Sequence, residues 1–346
     1  MKKHHAGFLL AVTGGLALVA FVVYRWRGFA WQQFLATLCN VDLRWLGLSV
    51  ALILATYVGR ALRWEVMLRP LIHRVTLLRV LAATCIGFTA VVLFGRAGEP
   101  VRPYLIAREA GVPFSTQVAA WVVERILDVL MILVIFGIAL TQVGHSAVQP
   151  GPRIQTILQF GGAFTGITGG LLLAILFGLR HFRGQVQQRV KEALAFLPDR
   201  FQSRIEGFLI AFGEGAQSTR SSSFAFRLVA YTVVEWGVIL GSFYCLFRAF
   251  PATARLDIFD VVIVLGFVCV GSVVQIPGVG GGVQIVTVLV LTEFYSLPLE
   301  AASGIALMWW VVSFVSIVPV GLLLAFREGL KWRSLRHIAP MAPGSA

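Results

Sequence analysis

From Ile305 to Phe326 the chain runs without a single charged side chain, and stretches of this kind recur along it. About 20 apolar residues is the length an α-helix needs to cross the hydrocarbon core of a bilayer. No water is available there to pair backbone groups, so only helices and closed barrels can span it. A barrel would show segments of roughly ten residues alternating apolar and polar. Continuous apolar runs point to helices instead. The composition agrees, with 58% hydrophobic and only 13% charged residues and a mean hydropathy of +0.84. A soluble domain carries about 25% charged residues. The fold class expected is therefore all-α, a polytopic membrane helix bundle forming a single integral membrane domain over residues 1–346.

Full spans are expected near 7–24, 43–62, 116–141, 155–180, 224–248 and 300–326. Two further apolar regions end in helix breakers. Residues 78–94 run into Phe94-Gly95-Arg96-Ala97-Gly98-Glu99-Pro100. Residues 258–276 run into Pro277-Gly278-Val279-Gly280-Gly281-Gly282, followed by a short apolar piece at 283–296. Broken backbone at membrane depth survives only inside protein or beside a wet cavity.

The bias of Lys and Arg gives an expected orientation. Arg60, Arg63, Arg69, Arg74 and Arg79 follow the second span. Arg180, Arg183, Arg189, Lys191, Arg200, Arg204 and Arg220 fill the long connector, and Arg327, Lys331, Arg333 and Arg336 the tail. These segments are expected on the cytoplasmic side, together with Lys2, Lys3 and both termini. Residues 78–115 and 258–299 then become re-entrant hairpins entering from opposite faces. The two halves, 7–141 and 155–326, read as an inverted repeat of helix, helix, hairpin, helix, the common plan of secondary transporters. The alternative is a plain span at 78–94. Within the connector 181–222, Val186, Val190, Leu194 and Leu197 recur at helical spacing, which suggests an amphipathic helix on the cytoplasmic interface. The tail 327–346 is expected to be cytoplasmic.

Charges inside apolar segments are costly and mark function by default. Arg96, Glu99 and Arg102 surround the first breaker. They form either a cavity-facing anion site, since Arg suits bidentate phosphate contact, or a cytoplasmic turn with a surface ion pair. Glu124 and Asp128 are one helical turn apart and share a face. Arg125 is offset by one residue and is expected to pair with a carboxylate on another element rather than with Glu124. This group is either an ion-pair network tying helices together or part of a transport path. Glu235 is a proton site or an arginine partner. In the second breaker, Gln275, Gly280, Gly281, Gly282 and Gln284 allow close backbone approach, and free N–H groups at the following helix start suit an anion. No Lys-Ser/Thr follows the glycines, so this is not a nucleotide-binding P-loop.

The series Gly95-Arg96-x-Gly98-Glu99-x-x-Arg102, Val123-Glu124-Arg125-x-x-Asp128 and Pro277-Gly278-x-Gly280-Gly281 resembles the transmembrane region of lysylphosphatidylglycerol synthases, a flippase-like domain, from about Asp42 to Phe326. The resemblance implies movement of lipids between leaflets. In the synthases a soluble aminoacyltransferase domain follows; the chain here ends about twenty residues after its last span. The family's glycine motif often closes with Glu, and Gln284 stands at that place here, which bears on specificity.

The expected function is a lipid flippase or transporter of a bacterial inner membrane that moves a phospholipid or other polar lipid, with its headgroup near the hairpins. The alternatives are a secondary transporter of a small solute or ion and a membrane-embedded headgroup enzyme. His4, His5, His73, His145, His181 and His337 all fall in tails or loops, which argues against a histidine-based phosphatase. No cofactor or metal is expected. A net charge of +13 would suggest nucleic acid in a soluble protein, but beside apolar spans it follows the positive-inside rule. Membrane lipids are the expected partners, with a homo-oligomer possible. Cys39, Cys85, Cys245 and Cys269 read as small buried hydrophobes.

Overall fold

A computed structural model of the chain describes residues 28–68, 76–112, 114–145, 167–170, 222–272, 275–276 and 280–329. The helix expected at 7–24 lies outside them. So do nearly all of the 155–180 span, the connector 181–222 and the tail 327–346. The described residues are helical except for one two-residue β-ladder. Four helical stretches are long and apolar enough to cross a membrane: Leu43–Leu68, Leu77–Gly98, Phe226–Arg248 and Leu299–Arg327.

The short helix α1 (Trp31–Cys39) leads into α2 (Leu43–Leu68). The partner of α2 is α6 (Ser222–Arg248), and the two run antiparallel. The Asp42 N–H donates to the Ala249 carbonyl at 2.9 Å at one end. The hydroxyls of Ser49 and Ser242 lie 3.1 Å apart, and Arg63 donates to Thr232 at 3.1 Å toward the other end. Small hydroxyl side chains let two helix backbones approach closely and satisfy each other where water is absent.

Helix α3 (Leu77–Phe94) ends in a 3-10 turn, Gly95–Gly98, and α4 (Val101–Ala110) folds back along it. Gly95 takes a positive φ of 63°, which only glycine adopts without strain. A Cβ on Gly98 would overlap the Ala90 carbonyl, and one on Gly87 would overlap Arg102. These glycines allow the two arms to touch. At the open end Arg79 pairs with Glu109, so residues 77 and 110 share one side. Helix α5 (Phe114–His145) then departs. Its 32 residues reach about 48 Å at 1.5 Å per residue, more than the roughly 30 Å of a hydrocarbon core.

Helices α7 (Ile258–Gly271) and α8 (Gly282–Tyr295) form the second hairpin. Its tip is the β-ladder of β1 (Gln275–Ile276) and β2 (Gly280–Gly281), with Gln275 opposite Gly281 and Ile276 opposite Gly280. At its open end the Tyr295 hydroxyl donates to the Asp260 carboxylate at 3.1 Å. The first hairpin opens beside the end of α2 and the second beside the end of α6. Because α2 and α6 are antiparallel, the hairpins open at opposite ends of the bundle.

The last elements are α9 (Leu299–Ser313) and α10 (Val318–Arg327), joined through a 3-10 turn at Val315–Ile317. Pro319 cannot donate a backbone hydrogen bond, and its ring displaces the preceding turn. The expected span at 300–326 is present as Leu299–Arg327, interrupted only by this turn. Thr89 on α3 donates to the Ile317 carbonyl at 3.3 Å. Packing is reciprocal between the halves: α3 lies on α10 where α7 lies on α5.

Three further expectations are corrected. The second span continues past 62 to Leu68, because Trp64, Val66, Met67 and Leu68 are all buried. His145 is the last residue of α5 rather than part of a loop. Cys39 is exposed, whereas Cys85 and Cys245 are buried and Cys269 is half-buried.

The close approach at the first hairpin gives a direct check. Gly98→Ala is expected to lower the thermal stability of detergent-purified protein by about 1–3 kcal/mol, the usual cost of overpacking. Gly137→Ala, on α5 with open space around it, should leave the melting temperature unchanged or raise it, since Ala favours helix over Gly.

Candidate functional site: a buried arginine–carboxylate cluster

Where α2, α4, α5 and α6 meet, four arginines and three carboxylates gather out of water. Arg63 on α2 is at the centre, and its side chain is fully buried. One guanidinium edge forks onto Asp128, at 2.8 Å from Nη1 to Oδ1 and 3.3 Å from Nη2 to Oδ2. Nη2 also lies 3.0 Å from Glu124, and Nη1 lies 3.6 Å from Glu235. Arg60, one turn earlier on the same face, pairs with Glu235 at 3.0 Å. The planar guanidinium fork is what makes such multiple pairing possible.

Glu124 is the shared anion. Arg102 reaches its Oε1 at 3.0 Å, Arg125 at 2.7 Å and Arg63 at 3.0 Å. Three guanidiniums thus converge on one oxygen, while Oε2 has no hydrogen-bond partner. Arg125 bridges to Asp128 as well, at 2.9 Å. This corrects the expectation that Arg125 would pair away from its own helix. Its long side chain curls back along α5 to reach both the adjacent Glu124 and Asp128 at i+3.

Aromatic rings hold the cations from the other side. The Arg102 guanidinium lies 3.9 Å from the centre of the Trp64 ring and 5.6 Å from that of Phe88. Arg60 lies 4.7 Å from the same Phe88 ring. Cation–π attraction is largest where water is excluded. The Trp64 indole is fixed in turn by its N–H, which donates to Gln117 at 3.0 Å. Arg102 also donates to the Arg60 carbonyl at 3.3 Å.

Glu124 lies ten residues into α5 and Asp128 fourteen, or about 15 to 21 Å from the start of the helix. Arg102 is the second residue of α4, directly after the hairpin turn. The tip of the first hairpin is thereby inserted beside the middle of a long apolar helix. Exposure within the cluster is uneven: the side chain of Arg125 is 39% accessible and that of Arg60 14%, while Arg63 and Glu124 have none.

The residues singled out from sequence are distributed as follows. Arg102, Glu124, Arg125, Asp128 and Glu235 come together. Arg96 does not join them: its side chain is 66% exposed on the turn, 3.9 Å from Glu99. Gln275, Gly280, Gly281, Gly282 and Gln284 belong to the second hairpin tip and the start of α8. There the Gly281 N–H donates to the Gln284 side chain at 2.7 Å, so Gln284 occupies one of the N–H groups considered for an anion.

Sequence reasoning missed Arg60 and Arg63, which it counted as flanking charges at the end of a span placed at 43–62. The signal was present. Val66, Met67 and Leu68 continue the apolar run after them, which places the two arginines inside the segment, one turn apart. Trp64, Phe88 and Gln117 were missed as well.

The family model for the lysylphosphatidylglycerol synthase TM region matches residues 8–321. The chain belongs to that family. It is a multi-pass membrane protein, in keeping with the membrane-length apolar helices among the described residues. No curated protein and no solved structure matches it. The clustered residues of this family member sit on four separate helices, so the site exists only in the folded bundle.

Removing one partner of a buried ion network strands the others. Arg63→Met is expected to destabilise the protein by about 3–5 kcal/mol, read as loss of the monodisperse peak in detergent or a large fall in melting temperature. Arg96→Ala, a change at a mostly exposed pair, should cost no more than about 1 kcal/mol.

Proposed function

We propose that this protein moves a phospholipid or other polar lipid between the leaflets of a bacterial inner membrane, and that the headgroup site lies beside the tip of its first hairpin. One observation carries the reading: a cluster of ionised side chains at the middle of apolar helices, closed on one side by the hairpin and reached through Arg60 and Arg125. Charges at membrane depth face a substrate path or one another. Here they do both, since the innermost pairs are sealed and the outermost arginines are partly open.

In this mechanism the headgroup phosphate meets Arg60 and Arg125 while the acyl chains remain in lipid. Arg102 and Arg63 hold the inner face of the site through Glu124. Exchange of partners at Glu124 couples headgroup entry to movement of the hairpin against α5. The second hairpin, opening at the other end of the bundle, closes the path from that side. Alternating access follows from rocking of one half against the other. This reading has both termini in the cytoplasm and membrane lipids rather than nucleic acid as partners, and it accommodates a homo-oligomer.

Transport is favoured over headgroup chemistry by the state of the carboxylates. Glu124 and Asp128, the only close acidic pair singled out from sequence, are both neutralised by arginine at 2.7–3.0 Å. Neither is free to act as a general base.

The test is transbilayer movement of labelled phospholipids in proteoliposomes. Arg102→Gln removes a charge-assisted contact, so the rate should fall about tenfold or more while the protein still elutes as a folded species. Normal movement in that variant would remove Arg102 from the site. No movement by the unaltered protein, combined with uptake of a soluble solute, would replace the lipid reading with a solute transporter.

A further inference from the structure

The charges of the cluster do not cancel. Four guanidiniums face three carboxylates, leaving a net charge of +1 among the described residues. Protonating any of the carboxylates would only raise that value, so the sign is independent of their titration. Uncompensated charge in an apolar interior is strongly disfavoured and calls for a counter-ion.

The hydrogen bonding inside the cluster is incomplete on both sides. The Nε atoms of Arg63, Arg102 and Arg125 are buried without an acceptor, and Glu124 Oε2 and both Glu235 carboxylate oxygens are buried without a donor. Three guanidiniums share the single Glu124 Oε1, although a carboxylate oxygen offers only about two lone-pair sites. An anionic oxygen entering beside Arg125, the most accessible of the three, takes one guanidinium off that crowded oxygen. Glu124 Oε2, which is idle, accepts whichever arginine is displaced.

From this excess charge we infer that the site selects lipids whose headgroup carries one net negative charge, a phosphodiester without an amine, over zwitterionic and cationic headgroups. The inference rests on the lipid-transport reading above. A phosphodiester brings −1 and neutralises the cluster. A zwitterionic headgroup brings its phosphate together with an ammonium, which leaves the +1 in place and sets a second cation against the arginines. A cationic headgroup makes the imbalance worse.

The experiment measures transbilayer rates in proteoliposomes for labelled phosphatidylglycerol, phosphatidylcholine and a lipid with a net positive headgroup, side by side. The unaltered protein should move the anionic lipid about tenfold or more faster than the other two, a modest fraction of the Coulomb energy between near-contact charges. Arg125→Gln brings the cluster to zero and should collapse this ratio toward one, and Arg125→Lys should restore it. Arg60→Gln provides a second neutral cluster if Arg125→Gln does not fold.

Equal rates for all three lipids in the unaltered protein would overturn the inference and leave the lipid reading standing. Preference for the zwitterionic or cationic lipid would do the same. Arg125→Gln and Arg60→Gln, both folded and both retaining the full anionic preference, would also overturn it. No lipid movement, with inorganic phosphate or glycerol phosphate entering the lumen instead, would overturn both and identify a soluble anion as the substrate.

Discussion

Arg63 is the constraint around which one end of this bundle is arranged. A guanidinium with no exposed surface has to find its partners in protein, and leaving it unpaired would cost more than most single contacts contribute. Its two arms reach α5 through Asp128 and Glu124 and α6 through Glu235 and Thr232. Glu124 then recruits Arg102, and with it the turn of the first hairpin. Four elements are thus set in register by one side chain. Arg102 holds the hairpin tip to α5 together with the hairpin's own buried apolar residues, Val101, Leu105 and Ile106 among them. Trp64 and Phe88 close this arrangement with rings that accept a cation's face while excluding water.

The opposite end of the α2–α6 pair is built on other chemistry. Trp309 of α9 stacks on Phe243 with ring centres 3.7 Å apart and packs against Phe247. Phe136 meets Phe267 edge-on where α5 crosses α7. The halves share a packing plan, with a hairpin arm against the partner half's final helix in each case. Among the described residues the buried arginine–carboxylate cluster occurs at one end only.

The legibility of the site in the sequence followed a simple physical rule. Glu124, Asp128 and Glu235 stand out because an ionised group inside a long apolar run is costly unless it finds a partner. Arg102 stands out because it follows a helix breaker. Arg60 and Arg63 were hidden by their place near the end of a span, where positive-inside reasoning absorbs any arginine. Trp64 and Phe88 carry no signal at all, since an aromatic residue within an apolar stretch looks like core whether or not a cation lies over it. Arg96 and Arg102 look equivalent in the motif. The 3-10 turn separates them, directing one outward and carrying the other into the bundle. The glycines of the second hairpin read as a break in a helix, and the break is there. That it takes the form of a β-ladder, with Gln284 capping the next helix, depends on backbone pairing that hydropathy does not report.

By itself, the sequence determined that this chain is helical and membrane-embedded, where its apolar stretches are interrupted, and which charges are buried at the greatest cost. Those properties are local: hydropathy, glycine and proline are read a few residues at a time. Tertiary structure alone decided which charges meet. Arg63 and Asp128 are 65 residues apart in the chain, and Arg63 and Thr232 are 169 apart. Their contact depends on the rotation and sliding of each helix against its neighbours. Those displacements are chosen by close packing at glycines such as Gly87 and Gly98 and by the refusal of a buried arginine to go unpaired. The surplus positive charge is likewise a property of the assembled cluster, because only the fold determines which of the chain's many arginines are counted in it.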